Sequence, residues 1–443
     1  MNQKNIKIVN AWISQIKGNS IIPIFGDIEI ENGKIVSIIE KESNKISSTI
    51  GENIIDAGGR VVTIPLVNFH DHIYSRLAKG LPAKGEMNSF QNILKNLWWK
   101  LDLNLDLEMV KASAQMAVLE SIKNGVTYIF DHHASPNSTE GSLSIIANVI
   151  ETIGLRGVLC FETSDRNDER LSQNAIKENK NFFLNNTNQN IKAMFGLHAS
   201  FTLEDETLKT VSEFIQNETI GVHVHLAEDE SDNEISNNKF GKNPIERFND
   251  FKLLNKYSIL AHGIHLTEKD YQILKSSGAA LAYNLDSNLN NAVGLPNFKM
   301  VPNSTPVLVG TDGMHANIAR SFKQLFLQLR NSGFSFDDAF GFMIKTYFNQ
   351  HKFVKQFFPD FPSLNIGDRA DLIIWDYIPP TPINKDNFWG HYLYGIIERQ
   401  VKTVIQNGNV LMKDFNLVNI DEAEISLNIF EQGNKLFNKF GNE

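Results

Sequence analysis

Eight apolar, β-prone runs, at 61–72, 125–133, 154–164, 192–200, 221–229, 258–266, 279–287 and 306–313, end in polar residues and alternate with amphipathic helical stretches. Leu203 to Ile215 and Glu268 to Leu274 are two of the helical intervals. A helix between two strands returns the chain in the same direction, so the rhythm predicts parallel pairing and an α/β fold. Eight repeats suit a (β/α)8 TIM-type barrel, with a doubly wound open sheet as the runner-up. The barrel is preferred because reactive side chains close many of the runs. An open sheet concentrates its chemistry near one switch point.

The ends of the chain read differently. Ile6 to Ile13, Ile21 to Glu31 and Ile35 to Ile39 are strand-like and separated by tight turns such as Asn32-Gly33-Lys34. The same character returns at Ala370 to Trp375, Val401 to Ile405 and Val410 to Met412. These segments predict a small β-sandwich domain built from both termini, 1–60 with 366–443, the latter ending in an amphipathic helix over Ile420 to Phe440. The barrel would occupy 61–365. Its first crossover, 73–124, is longer than a βα unit needs and carries Trp98 and Trp99. Either both tryptophans pack this extra element onto the barrel, or one faces its mouth and stacks on a flat substrate.

Composition narrows the partners. The formal net charge is −9 and no Lys/Arg run stands out, which argues against nucleic acid and anionic membranes. No apolar stretch approaches the roughly 20 residues of a membrane span. The single cysteine, Cys160, excludes an intrachain disulfide framework and reads as core packing within Gly157 to Phe161. The segment from Met1 to Lys7 leads into a strand pattern without a signal-peptide core, so a cytoplasmic protein is expected.

Of the 12 histidines, ten lie at or just beyond the inferred strand ends: His70, His72, His132, His133, His198, His223, His225, His262, His265 and His315. In a barrel those ends form one rim, which hosts the active site. His70 and His72 project from one face of a strand and Asp71 from the other. Combined with His225, His262 and Asp312, they offer a site of imidazoles and one carboxylate suited to Zn²⁺ or Fe²⁺. His225 is in phase with a ligand role, while His223 lies deeper on the same face. Glu228, three residues past His225, stands where a carboxyl can shuttle protons.

These residues resemble the amidohydrolase superfamily, in particular its mononuclear-metal aminohydrolases and chlorohydrolases, over essentially the whole chain. Asn68-Phe69-His70-Asp71-His72 is similar to the family's Asn-x-His-x-His, although Leu66 stands where glycine is usual. His225 to Glu228 matches its His-x-x-Glu, and Gly310 to Gly313 its Gly-Thr-Asp-Gly. Gly367 to Leu372 is similar to the segment that re-enters the β-domain, and no carboxylated-lysine position is evident. Asn96 to Asp102, Asp131 to Pro136 and Cys160 to Arg166 resemble SsnA-type aminohydrolases more closely.

The resemblance implies one divalent ion, Zn²⁺ or Fe²⁺, held by His70, His72, His225 and Asp312. It implies that Asp312 also accepts a proton from the attacking water and that His262 orients this water. Glu228 would protonate the ring nitrogen beside the attacked carbon, and His198 would belong to the substrate pocket. The substrate would be a small N-heterocycle such as a purine or pterin, losing ammonia. Loss of chloride or opening of a cyclic amide are alternatives, and a non-catalytic barrel kept for assembly is the remote one. Relatives of this kind suggest a homodimer. Tyr283, where relatives commonly have histidine, and His315, where they often have a small residue, would face the substrate. Arg76 and Arg166 are candidate anchors for an anion or carbonyl. Asp131 either orients a ligand or makes a plain structural hydrogen bond.

Overall fold

Two parallel sheets lie at the centre of the computed structural model, which describes residues 5–42, 51 and 53–442. Met1 to Lys4, where the N-terminal reading begins, lie outside them. The first sheet runs Leu66–Asp71, Val126–His133, Arg156–Phe161 and Ile191–Ala193. The second runs Phe195–Leu197, Val222–Leu226, Ile259–His262, Ala280–Tyr283 and Val307–Val309, also in chain order. Parallel bridges Thr163–Leu197 and Asp71–Asp312 connect the margins of the two sheets. The strands are buried on both faces, as in Val126–His133, which explains why they read as unbroken apolar runs.

Helices fall between the strands as the rhythm predicts. Asp205–Asn217 and Glu268–Ser277 cover the two intervals named above. Thr267 caps the second by accepting from the Asp270 amide, while Asp270 accepts in return from the Thr267 amide.

The first predicted run departs from expectation. Val61–Thr63 pairs with Ile6–Lys17 and Leu372–Trp375, and only Leu66–Asp71 enters the parallel sheet. Ile64-Pro65 separates them, and Pro65 has no amide to donate to a ladder.

The strands of both termini form one nine-stranded mixed sheet. Its order is Asn416–Leu417, Asn409–Lys413, Val401–Gln406, Leu372–Trp375, Val61–Thr63, Ile6–Lys17, Ser20–Glu31 and Lys34–Glu40, with Ile54–Asp56 also on Ile6–Lys17. The C-terminal helix, Glu422–Asn442, packs on Leu107–Lys123, the helix that precedes Val126–His133, and buries Leu436 and Phe440. It therefore clamps the long crossover rather than only the terminal sheet. That crossover contains a π-helical turn, Leu94–Trp98, immediately before the short helix Trp99–Asn104. Such turns widen the helix and re-aim the side chains that follow. Among the described residues no helix is long and apolar enough to cross a membrane.

Asp371 joins the terminal sheet to the parallel one. Its buried carboxylate accepts from Tyr128 Oη at 2.6 Å, from Arg369 Nε at 2.9 Å and from the Asn407 amide. Tyr128 lies on Val126–His133, and Arg369 and Asn407 lie at turns of the terminal sheet. Removing one partner from such a network strands buried polar groups. Asp371→Ala is expected to lower the unfolding free energy by about 3 kcal/mol, read from the urea midpoint. A midpoint equal to that of the parent chain would remove Asp371 as the link.

Candidate active site

The strand ends bring His70, His72, His225, His262 and Asp312 together. His72 Nε2 lies 2.9 Å from Asp312 Oδ1 and 3.1 Å from His225 Nε2, and His70 Nε2 lies 3.7 Å from Asp312 Oδ1. His70, His72 and His225 each offer a ligand nitrogen within a 4.8 Å cluster, as do His70 and His262 with a carboxylate oxygen of Asp312.

The backs of the rings fix their protons. His72 Nδ1–H donates to the His132 carbonyl at 2.7 Å, and His225 Nδ1–H to the His198 carbonyl at 2.9 Å. His262 Nδ1–H donates to Asn288 Oδ1 at 2.8 Å. His70 Nδ1 faces His223 Nε2 at 2.8 Å, so His223 supports a ring of the site from below. When neutral, these imidazoles present an Nε2 lone pair inward, and at His72 a bound cation would have to displace the proton that Asp312 favours. His70 Nε2 and His262 Nε2 are buried with no hydrogen-bond partner. Converging lone pairs and a carboxylate repel one another unless a cation lies among them, so this donor set fits a divalent ion.

Local backbone geometry enforces the convergence. Ala227, His262 and Asp312 are non-glycine residues at positive φ, at 44°, 71° and 56°. Such conformations persist only where surrounding structure imposes them, and they cluster at functional sites. Asn68 accepts from the Thr311 amide at 3.2 Å and donates to Thr311 Oγ1 at 2.7 Å, which ties the first strand to the Gly-Thr-Asp-Gly turn. Gly310 is required there, because a Cβ would lie 2.7 Å from His70 Cβ and would also strike Asn284.

Electrostatics separates the groups. Burial drives the His70 and His225 imidazoles well below their usual range, so both are neutral. Burial also opposes charge at His72, but Asp312 beside it wins and raises the imidazole to about 9. Asp312 is in turn held well below the carboxylate range: burial works against this, and His72, His262 and Ser287 outweigh it. Ser287 Oγ–H donates to Asp312 Oδ2 at 2.5 Å. Glu228 Oε2 lies 3.4 Å from His262 Nε2, and burial pushes this carboxyl up to about 7.

A cavity opens over this group. His72, His225, Glu228 and Asp312 form part of its lining, as do Trp98, Trp99 and His198. Both tryptophans line the cavity, and Trp98 also packs against the core.

Four predicted residues are placed elsewhere. Tyr283 is fully buried and packs on Phe298 with ring centroids 5.5 Å apart, behind the cavity wall. His315 Nε2 lies 3.3 Å from Asp286, whose carboxylate accepts from Arg320 and Ser321. Arg76 is buried against Asp71 at 2.7 Å and Glu120 at 3.1 Å, so it is an internal ion pair and not an anion anchor. Arg166 lies behind the wall, held by Asp102 and Glu162. Asp71 points away from the site as the strand alternation predicts. Asp131 accepts from the Ile73 amide at 2.8 Å and so fixes the turn after His72.

Sequence reasoning missed Asp102, Glu162, Ser287, Asn288 and Asn291. Asp102 and Glu162 stood inside motifs quoted for resemblance, but their partner was not deducible from spacing. His132, Glu162 and His225 form another compact donor group. It is a poor cation site, since Glu162 is committed to Arg166 and the Nδ1 of His225 to the His198 carbonyl.

A family model described as the amidohydrolase family matches residues 61–412, and the chain belongs to that family. A 5'-deoxyadenosine deaminase of Methanosphaera stadtmanae is 26% identical over 87% of this chain and 90% of the relative. A 5-methylthioadenosine/S-adenosylhomocysteine deaminase of Thermoanaerobacter pseudethanolicus is 25% identical over 88% and 90%. The crystal structure of an adenosine deaminase from Xanthomonas campestris with bound zinc has a TM-score of 0.78 at 18% identity, covering 97% of this chain and 98% of that one.

Gly310→Ala is expected to displace His70 and to lower the metal content of purified protein from about one ion per chain to below about 0.3, with the far-UV spectrum unchanged. Gly341→Ala, where a Cβ meets nothing within 4 Å, serves as the control and should keep its ion. Equal metal content in the two variants would detach Gly310 from the site.

Proposed function

We propose that this chain is a Zn²⁺-dependent aminohydrolase that converts an amino-substituted, purine- or pterin-like heterocycle and water into the hydroxy (oxo) heterocycle and ammonia. One observation carries the reading. The donor set of His70, His72, His225 and Asp312 lies beside the Glu228–His262 pair in a cavity lined by Trp98 and Trp99. Zinc is preferred over Fe²⁺ because the adenosine deaminase of similar fold carries it, although the same donors accept both ions. Purine rings are preferred because the relatives are named for adenosine derivatives.

When bound, the ion would act as a Lewis acid and lower the pKa of water. The remaining work falls to side chains. His262, fixed through Nδ1 by Asn288, orients the attacking water with Nε2, and Asp312 accepts its proton. Attack on an amidine-like carbon builds negative charge on the adjacent ring nitrogen. Glu228, close to half-protonated at neutral pH, donates to that nitrogen and then passes a proton to the departing ammonia. Trp98 and Trp99 offer flat faces to the heterocycle. His198 lies at the cavity edge with its ring centroid 6.3 Å from that of Trp99.

The same reading includes a closed eight-stranded barrel within 61–365 and a β-sandwich from 1–60 and 366–443. The barrel is entered at Leu66, because Val61–Thr63 joins the terminal sheet, and Ile191–Ala193 and Phe195–Leu197 are two halves of one strand. Closure is supported by the Asp71–Asp312 and Thr163–Leu197 bridges. The sandwich is supported by the Lys34–Arg369 bridge, which folds the edge strand Lys34–Glu40 back toward the middle of its own sheet. Buried, unpaired Cys160 suits the reducing cytoplasm. A homodimer rests on the family resemblance alone.

Glu228→Gln keeps the shape but cannot donate and recover a proton. It is expected to lower kcat by about 10²- to 10⁴-fold in an ammonia-release assay over purine nucleosides, pterins and triazines, with metal content unchanged. Retention of most of kcat would remove Glu228 from the proton path. Chloride release without ammonia across the panel would replace deamination with dechlorination.

A further inference from the structure

The cavity contains a second polar wall that the deamination chemistry does not use. Trp99 and Asp102 lie three residues apart on the helix Trp99–Asn104, hence on one face. They line the cavity together with Glu162 and His198. Behind them Arg166, its side chain 7% exposed, donates through Nη2 to Asp102 and through Nη1 to Glu162, and its guanidinium stands 5.5 Å from the Trp99 ring. Both Nη groups of this cation are therefore spent on carboxylates, and its Nε–H is buried without a partner. Burial pushes the Asp102 carboxyl up to about 7 while Glu162 stays ionised, so from neutral pH upward two carboxylates face one guanidinium and the wall carries excess negative charge.

The wall also has a hydrogen-bonding sense. Asp102 Oδ1 is buried without a partner. Thr202 Oγ1–H donates to the Ala199 carbonyl at 3.0 Å, so its lone pair receives His198 Nδ1–H at 2.7 Å. That assignment leaves His198 Nε2 as an acceptor. Trp99 Nε1–H, also buried and unpartnered, is a donor without charge at this wall, and Tyr74, which carries a hydroxyl, lines the cavity with it. Among the described residues that line the cavity there is no lysine or arginine.

We propose that Asp102, Glu162 and His198, with Arg166 neutralised behind them, form a subsite that reads hydrogen-bond donors on the non-reacting part of the substrate and rejects negative charge there. The substrate is then a heterocycle whose substituent is neutral or cationic and carries O–H or N–H groups, such as a polyol or an amine. A carboxylate or phosphate substituent is disfavoured at this wall, because it would meet two carboxylates and a lone pair there and no lysine or arginine lines the cavity to pair with it. This rests on the deaminase reading for the identity of the ring, but not for the sign of the wall. Asp102 acts as a specificity residue here and as the positioning partner of Arg166.

The test uses metal-loaded protein and three adenine nucleosides that differ at C5′: 5'-amino-5'-deoxyadenosine, 5'-deoxyadenosine and adenosine-5'-carboxylate. Binding is read by quenching of tryptophan fluorescence and turnover by ammonia release. The first two are expected to bind at least about 100-fold more tightly than the carboxylate, since like charges are opposed across a buried wall. Asp102→Asn, which leaves Arg166 half-compensated, should narrow that gap by about tenfold, mainly in Kd and KM rather than kcat. Equal or tighter binding of the carboxylate by the parent chain overturns the subsite, as does failure of all three to bind. The expected binding order without any ammonia supports the subsite and overturns the deaminase reading alone.

Discussion

Everything in the site depends on imidazole rings held from behind by the backbone of neighbouring strands. The carbonyls of His132 and His198 each take an Nδ1 proton, and Asn288 takes a third. A ring fixed in this way can aim only Nε2 inward, and it can do so only while the strands keep their register. His225 sits opposite Ala261 and Leu226 opposite His262 in the parallel ladder. A slip of one residue would turn His225 outward and put Leu226 at the site. The long apolar strands therefore do more than fill a core, because they hold the tautomers in place.

This arrangement costs free energy that the rest of the molecule offsets. Each non-glycine residue at positive φ is worth of the order of 1–3 kcal/mol of strain, and Ala227, His262 and Asp312 all sit there. Buried charges add to it. Several are paired with a partner of opposite sign at hydrogen-bond distance: Asp71 with Arg76 behind the first strand, and Asp102 and Glu162 with Arg166 beside the cavity. Arginine suits these positions because its fork serves two oxygens at once and stays charged when buried. An arginine near a cavity mouth is thus as readily a structural cation as a substrate anchor, and its neighbours decide which.

The sequence was most legible where function follows from local alternation. His70 and His72 face one way and Asp71 the other by strand geometry alone, and His225, Glu228, His262 and Asp312 were readable as strand ends in order. What stayed hidden needed long-range packing. Asp102 meets Arg166 across 64 positions, so neither could be assigned from its own surroundings. Tyr283 and His315 were placed by their position in the chain, but Phe298 and Asp286 claim them in space. The strand run at 61–72 looked continuous because its composition is, yet Pro65 divides it between two sheets. The terminal segments read as strands, but spacing does not reveal that they share one ladder.

That division at Pro65 has a consequence for how the molecule is made. Val61–Thr63 is gripped on one side by Ile6–Lys17 and on the other by Leu372–Trp375, and a few residues later the same segment delivers His70 and His72. During synthesis the first pair of imidazoles emerges early, but half of the grip on its strand emerges some 300 residues afterwards, together with the Asp371 link. Asp312 also arrives late. A nascent chain therefore carries exposed imidazoles long before it has a shaped site for them. The donor set is complete only once Asp312 has been made, and a chain truncated before residue 371 would lack both the Asp371 link and the Leu372–Trp375 side of the grip on its first histidine strand.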